Sequence, residues 1–480
     1  MQRIWSLDNT KMGVLLIATI IVVYMQPVLS YPFFIVLFYL AYKSDKSYFW
    51  LAYIFILLQA PGELFSAGMR TEIHRLPLFS FGPGISFSTF EVFMVVLLVK
   101  SLQYKSDNVN IFKRDFAILA IVMIIYLIIG IMIGLSSRNM IMVLRGLVSW
   151  SWIIIIPSLL HDREDVRKLM QLLFPIVILA FGSQIYSYIS GYALDDMLRD
   201  ADPTRYARQI DETTQFASRM ISGPYLILIC FAMTLYYLIK NDKTFPSGYL
   251  YMIMFISCLT IFLSATRGWI IAFTVMLIIA MFSTGNILLK RTVGIFFTSM
   301  IILYILITQF PVLERQMELS WERMKTLESL AEGDVTAGGT LGRIDQRGSR
   351  VMRKFMESPL IGFGFSDEFR KNTDEHVGHH SLLLNVGILG YILIMGYFLR
   401  WIILFFRTPG QLKSLGYPGG DGYQAFGILL IGILIIHSSS TQFIGFYFLH
   451  LYKYFVYAFL FGVFLALYND DLQSQEVNDK

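Results

Sequence analysis

The sequence predicts an all-α polytopic membrane protein with about 12–14 transmembrane helices and one large, partly helical extracytoplasmic loop. Three observations carry that prediction. The chain of 480 residues is 56% hydrophobic and only 15% charged, with a mean hydropathy of +0.60, far from the balance of a water-soluble domain. Apolar runs at 14–29, 116–135, 169–189, 221–239 and 293–310 recur along its length, each close to the ~20 residues that a bilayer requires. These runs are apolar on nearly all sides, with none of the two-residue alternation of a membrane β-barrel.

From the N-terminus, the first apolar run has no small-residue cleavage site and leads through Pro27 and Pro32 into the next, so it is expected to be the first helix rather than a signal peptide. The second, third and fourth spans are short, which leaves the helix count between twelve and fourteen. Cys230 and Cys258 fall inside spans, where a thiol behaves as a small apolar group. No repeat, low-complexity tract or separate soluble domain interrupts the chain, so residues 1–480 are read as one integral membrane domain. The tail at 469–480 is expected to be cytoplasmic and disordered after Tyr468.

Lysines set the orientation. Lys11, Lys43, Lys46, Lys100, Lys105, Lys113, Lys168, Lys240, Lys243, Lys290, Lys413 and Lys480 flank short loops on one side, which the positive-inside rule assigns to the cytoplasm together with both termini. The other side keeps Lys325, Lys354, Lys371 and Lys453 but 16 of the 23 arginines. Orientation is indifferent to the kind of cation, whereas bidentate recognition of phosphate favours guanidinium. An outward phosphate ligand would explain the asymmetry; so would pairing with the loops' own Asp and Glu. The net charge of +5 is modest and dispersed, so nucleic acid is not expected as a partner.

Two outer loops are long, at 195–219 and 311–379, and loops of that length in a compact protein usually bind something. Both contain helix-like stretches and are expected to be ordered over the membrane. Arg219 closes the first and joins the candidate phosphate ligands.

Four features carry candidate chemistry. Arg267, in Thr266-Arg267-Gly268-Trp269, interrupts two apolar spans; it is either a functional intramembrane cation or a snorkelling residue beside an anchoring Trp269. Arg145 lies a few residues inside a span and must snorkel outward or face a polar cavity, with Gly146 allowing close approach of a ligand or helix. Arg343, Arg347 and Arg350 share one face at helical spacing. Their repulsion calls for an anion opposite, from a ligand or from an acidic loop. Finally, His376, His379 and His380 precede a span. An imidazole there can act as general base or cap a helix. Zinc would need further ligands that no Cys or HExxH pattern supplies, so neither metal nor cofactor is expected. His437, at another outer helix end, has an open role.

The runs TRGW at 266–269, Arg343 through PLIGFG at 359–364, and HSLLL…GILG at 380–390 resemble, in order and spacing, the core of the O-antigen ligase and polymerase superfamily. The detailed resemblance covers 262–394. It implies a GT-C-like glycosyltransferase architecture in the bacterial inner membrane with a periplasmic active site, where Arg267 and Arg343 bind an undecaprenyl-pyrophosphate-linked glycan donor and His380 activates the acceptor hydroxyl. Arg145, Arg347 and Arg219 are added as further pyrophosphate ligands on residue grounds alone. The reaction implied is metal-independent and inverting; apart from Asp200 and Asp202, no outer carboxylate pair stands ready for a divalent ion. The family histidine usually precedes the first glycine of GxxG by eleven residues. His376 keeps that spacing to Gly387, whereas the context HSLLL favours His380. The two are expected to share a helix face one turn apart, with His376 and His379 as runners-up for the base. A polymerase of O-antigen or exopolysaccharide repeat units is the leading reading, with the bilayer, a glycan or lipid acceptor and a chain-length regulator as partners. A ligase to lipid A core or protein is the alternative, and a lipid-linked oligosaccharide flippase a third, although a flippase would line a central path with charge.

Overall fold

The computed structural model describes residues 5–22, 29–59, 79–80, 86–103, 110–190, 223–264, 266–284, 347–414, 422–439 and 453–476, with isolated positions between 305 and 321 and at 444. The apolar run at 293–310, the loop at 195–219 with Arg219, and Arg343 lie outside or almost wholly outside those residues.

The described chain is helical apart from an antiparallel two-residue ladder, Phe79–Ser80 with Ser86–Phe87. In chain order the helices are α1 Leu7–Ile20, α2 Ser30–Lys43, α3 Ser47–Gln59, α4 Thr89–Gln103, α5 Lys113–Gly134, α6 Ser137–Val148, α7 Trp152–Leu159, α8 Arg163–Ser190, α9 Pro224–Lys240, α10 Ser247–Leu263, α11 Arg267–Thr284, α12 Ser349–Phe355, α13 Asp367–Asn372, α14 Gly378–Ser414, α15 Gln424–Ser438 and α16 Lys453–Glu476. Five segments among the described residues are long and apolar enough to cross a bilayer: Lys113–Gly134, Ser137–Leu159, Arg163–Tyr186, Gly378–Leu412 and Tyr454–Gln473. The second of these runs from α6 to α7 through a 3-10 turn at Ser149–Ser151. Shorter apolar helices, including α9, α10 and α15, pack among them. This is a helical membrane protein, built as the hydropathy requires.

Aromatic side chains fill the interior. Phe112 just ahead of α5, Phe405 of α14 and Phe461 and Phe464 of α16 meet with ring centroids 4.6–6.0 Å apart, mostly in the edge and tilted arrangements that ring quadrupoles favour. Isoleucines 121, 124, 125 and 128 of α5 are left exposed, as a face turned toward lipid hydrocarbon would be.

Polar contacts collect at the two ends of the bundle. At one end, Lys46 Nζ meets Asp8 at 2.7 Å, Arg400 Nη1 and Trp401 Nε1 donate to buried Asp115 at 2.6 and 2.9 Å, and Lys100 Nζ donates to Ala41 O at the close of α2 at 3.2 Å. Asp471 near the close of α16 gathers Lys240 at 3.0 Å, the Tyr423 hydroxyl at 2.7 Å and Arg163. The disordered tail expected after Tyr468 is thereby corrected: α16 continues through Glu476 because Asp470 and Asp471 are anchored to Arg163 and Lys240. The predicted inside lysines Lys46, Lys100 and Lys240 thus make their contacts at one end, called here the lysine end.

At the opposite end, the Tyr188 hydroxyl and Gln316 Nε2 both donate to Leu263 O, at 2.9 and 2.7 Å, joining the close of α8 to the close of α10. Asp367 accepts from the Ser136 N–H and hydroxyl, at 3.2 Å each, and from Asn139 Nδ2 at 2.5 Å. Those three donors hold the Asp367 carboxyl below the usual carboxylate value, with the Asn139 bond the largest cause. Here too lies a break in the backbone of α14. Gly387 interrupts α14 with φ 64° and ψ −175°, a conformation essentially reserved for glycine. The segment 359–364 docks against this break. Phe363 and Gly364 donate to Leu384 O and Asn385 O at 2.9 and 2.8 Å, and beyond the break Ile388 and Leu389 donate to Pro359 O and Leu360 O at 2.9 and 3.2 Å. The Asn385 amide donates to Gly364 O at 2.6 Å, and Tyr126 of α5 donates to Val386 O at 2.6 Å. The broken helix is tolerable because this partner segment satisfies the backbone groups that the break releases.

Candidate functional site

The break divides α14 and leaves a short half-helix, Gly378 to Val386, that carries His379 and His380 in its first turn. Its start is fixed by Asp374: Oδ1 accepts from the His376 N–H at 2.9 Å, and the Ser381 hydroxyl donates to Asp374 O at 2.8 Å and accepts from Asp374 N at 3.1 Å. Because α14 begins at Gly378, His376 precedes the helix and is exposed. The expectation that His376 and His380 project from one helix face is therefore corrected; a helical turn does not connect them.

His379 points into the bundle. Its Nε2 lies 3.4 Å from Leu434 O and its Nδ1 3.1 Å from the Tyr391 hydroxyl. A carbonyl only accepts, so this network assigns the proton to Nε2 and leaves Nδ1 accepting from tyrosine. The ring also stands edge-on to His437 of α15, centroids 4.8 Å apart. With both nitrogens engaged, His379 holds α14 to α15. His437 is part of the same contact, and its Nδ1 accepts from the Ile444 N–H at 3.3 Å.

His380 is half-buried, and its ring takes no hydrogen bond among the described residues. It lies against α12: a methyl built on Gly348 would stand 3.5 Å from His380 Nε2, one residue from Arg347. Ahead of α12, Arg347 Nη1 reaches Asp374 Oδ1 at 3.7 Å, and from its first turn Arg350 Nη2 reaches Oδ2 at 3.1 Å. The anion demanded by the stacked arginines is present in this structure, supplied by the chain itself. Packing fixes the other face of α12 through buried Val351 and Phe355.

Arg267 opens α11, whose first turn is closed by Trp269 N and Ile270 N donating to Thr266 O at 3.0 and 3.1 Å. The following residue, Gly268, lies against the close of α15: a Cβ built there would meet the Ser439 hydroxyl, which would have to turn aside. The start of α11 thus abuts the end of the helix whose His437 contacts His379, and α14 in turn contacts α12 through His380 and Gly348. The structure brings the Arg267, Arg347 and His380 segments to one end of the bundle.

Arg145 is engaged otherwise. Its Nε donates to Glu91 Oε1 at 2.6 Å and a second guanidinium nitrogen meets Oε2, making a bidentate pair that ties α6 to α4. Glu91 also accepts from the Ser88 N–H and hydroxyl at 2.7 and 2.8 Å. The Arg145 charge faces neither solvent alone nor a cavity but a buried carboxylate, and a Cβ at Gly146 would meet no atom within 4 Å.

The sequence reading missed Asp374, Asn385, Tyr126 and Glu91. Glu91 carried a signal as an acid within an apolar span, and the arginine spacing called for an anion without saying which; the pairings themselves cross separations that no periodicity reports, such as the 260 residues between Tyr126 and Val386. Comparison with protein-family models and with curated proteins finds no match to this chain.

Proposed function

We propose that this protein is a membrane glycosyltransferase that moves a glycan from an undecaprenyl-pyrophosphate carrier to an acceptor hydroxyl, extending O-antigen or exopolysaccharide repeat units at the outer face of the bacterial inner membrane. The observation that supports it best is the junction at the end of the bundle that carries His379 and His380, the histidine end. Three sequence blocks that resemble the ligase and polymerase superfamily are physically joined there, with 359–364 hydrogen-bonded across the break of α14 and the start of α11 abutting the α15 end that touches His379.

In this reading, His380 takes the proton of the acceptor hydroxyl while the new bond forms at the anomeric carbon. The bond from that carbon to the diphosphate oxygen breaks, and the carrier diphosphate leaves with both electrons. Arginines of α11 and of the 343–350 stretch offset the charge that develops on the leaving oxygens. Of the three histidines, His380 suits the base best, because His379 is held by Leu434 and Tyr391 and His376 stands outside the helix.

Purified protein given a lipid-linked repeat unit as sole glycan substrate should produce a ladder of lengthened products. Product formed only with lipid A core would make it a ligase instead. His380→Ala and Arg267→Ala should each lower turnover by ~10²-fold or more, and His376→Ala should leave it near wild type. Full activity in His380→Ala would refute the assignment of the base.

A further inference from the structure

Asp374 faces more positive charge than one carboxylate neutralises. Arg350 reaches it at 3.1 Å and Arg347 at 3.7 Å, and Arg353 stands exposed one turn further along α12. The carboxylate is the covered member: its side chain is 11% exposed, against 41% for Arg347 and 59% for Arg350. Both guanidiniums therefore keep donors directed outward, and the 3.7 Å contact is too long to be a hydrogen bond. The Asp374 backbone has a separate task in its two bonds to Ser381, so the charge can be changed without undoing the start of α14. Next to it, the buried Thr373 hydroxyl has no partner among the described residues.

We infer that Asp374 is an internal competitor at a phosphate-binding site, its carboxylate occupying the Arg347–Arg350 fork until a phosphate or diphosphate group takes its place. A phosphate group brings more charge and more acceptor oxygens than a carboxylate, in a geometry that guanidinium forks match. The inference rests on the phosphate-ligand part of the proposed function and does not need glycan transfer.

The test is calorimetric titration of inorganic pyrophosphate into the full chain in zwitterionic nanodiscs. Asp374→Asn keeps an acceptor for the His376 N–H and removes the charge, and it should bind pyrophosphate about five-fold tighter than wild type. Arg350→Ala should bind at least about five-fold more weakly. Binding by Asp374→Asn that is unchanged or weaker overturns the proposal. So does wild-type binding by Arg350→Ala, an exposed position whose replacement leaves the fold intact even where Asp374→Asn does not fold. The titrations are repeated in nanodiscs containing phosphatidylglycerol. A persistent ratio between variant and wild type supports a diphosphate ligand; a ratio that vanishes supports the phosphate of bilayer headgroups as the group that displaces Asp374. A protein that polymerises glycan yet shows no gain in Asp374→Asn loses this inference alone.

Discussion

Replacing Gly387 by alanine probes the feature on which the histidine end is built. The residue sits at φ 64° and ψ −175°, and forcing a side chain into that region costs about 1–3 kcal/mol. Its Cβ would stand 2.5 Å from Ile361 N and closer still to the Leu360 carbonyl. Those are backbone atoms, so the 359–364 segment has to withdraw. Withdrawal endangers the bonds from Ile388 to Pro359 O and from Leu389 to Leu360 O, each contributing about 0.5–1.5 kcal/mol. The sum is a loss of about 2–6 kcal/mol. Gly396 lies on the same helix with nothing within 4 Å of a built Cβ, so Gly396→Ala should be neutral or stabilising by up to about 1 kcal/mol. Thermal unfolding of the two variants in one detergent provides the comparison, with limited proteolysis of the 359–364 segment as a second readout. A drop of about 5 °C or more in Gly387→Ala alone is expected. Indistinguishable melting curves would show that the break in α14 is not braced as described.

Two other perturbations follow from the charges. Glu91→Ala leaves the Arg145 guanidinium facing an emptied, mostly buried site and should destabilise the protein by about 3 kcal/mol, whereas Glu91→Ala with Arg145→Met should recover much of that loss in the same melt. His161, between α7 and α8, is raised above its usual value chiefly by its hydrogen bond to Asp165; a raised folded value means that its contribution is complete below about pH 6.5 and lost as pH rises through the folded value. NMR titration of His161 should therefore show a lower midpoint in Asp165→Asn, and an unchanged midpoint would remove Asp165 as the cause.

The apolar helices were readable because hydropathy is a local property: the run at 116–135 became the span Lys113–Gly134, and that at 221–239 became the shorter apolar helix Pro224–Lys240. The gathering of Lys46, Lys100 and Lys240 at one end was readable for the same reason. The break at Gly387 was not. Glycine is common in membrane helices, and an apolar run such as GILG has the same pattern whether the helix is continuous or interrupted. Asp374 was hidden by distance, 24 residues from Arg350, although the need for an anion opposite the arginines was visible in their spacing. The end of α16 was misread because Asp470 and Asp471 resemble a solvated tail until Arg163, some 308 residues earlier, is placed beside them. The pairing of His376 with His380 failed on a helix boundary, which local pattern places only to within a few residues.

The break and the histidines belong to one arrangement. A continuous helix from Gly378 to Ser414 would bury its carbonyls in its own ladder and leave 359–364 with no partner. By breaking at Gly387, the chain receives that segment, and the segment's sequence neighbours on the N-terminal side are Arg350 and Arg347. The same backbone pairing that stabilises the interruption therefore draws the α12 arginines toward the His380 turn, where Gly348 lies against the imidazole. Asp374 closes the circuit, bonded through its backbone to Ser381 and through its carboxylate to the arginines. Loss of the pairing at the break moves the α12 arginines relative to His380, so Gly387→Ala should perturb the same geometry that the Asp374 backbone holds through Ser381.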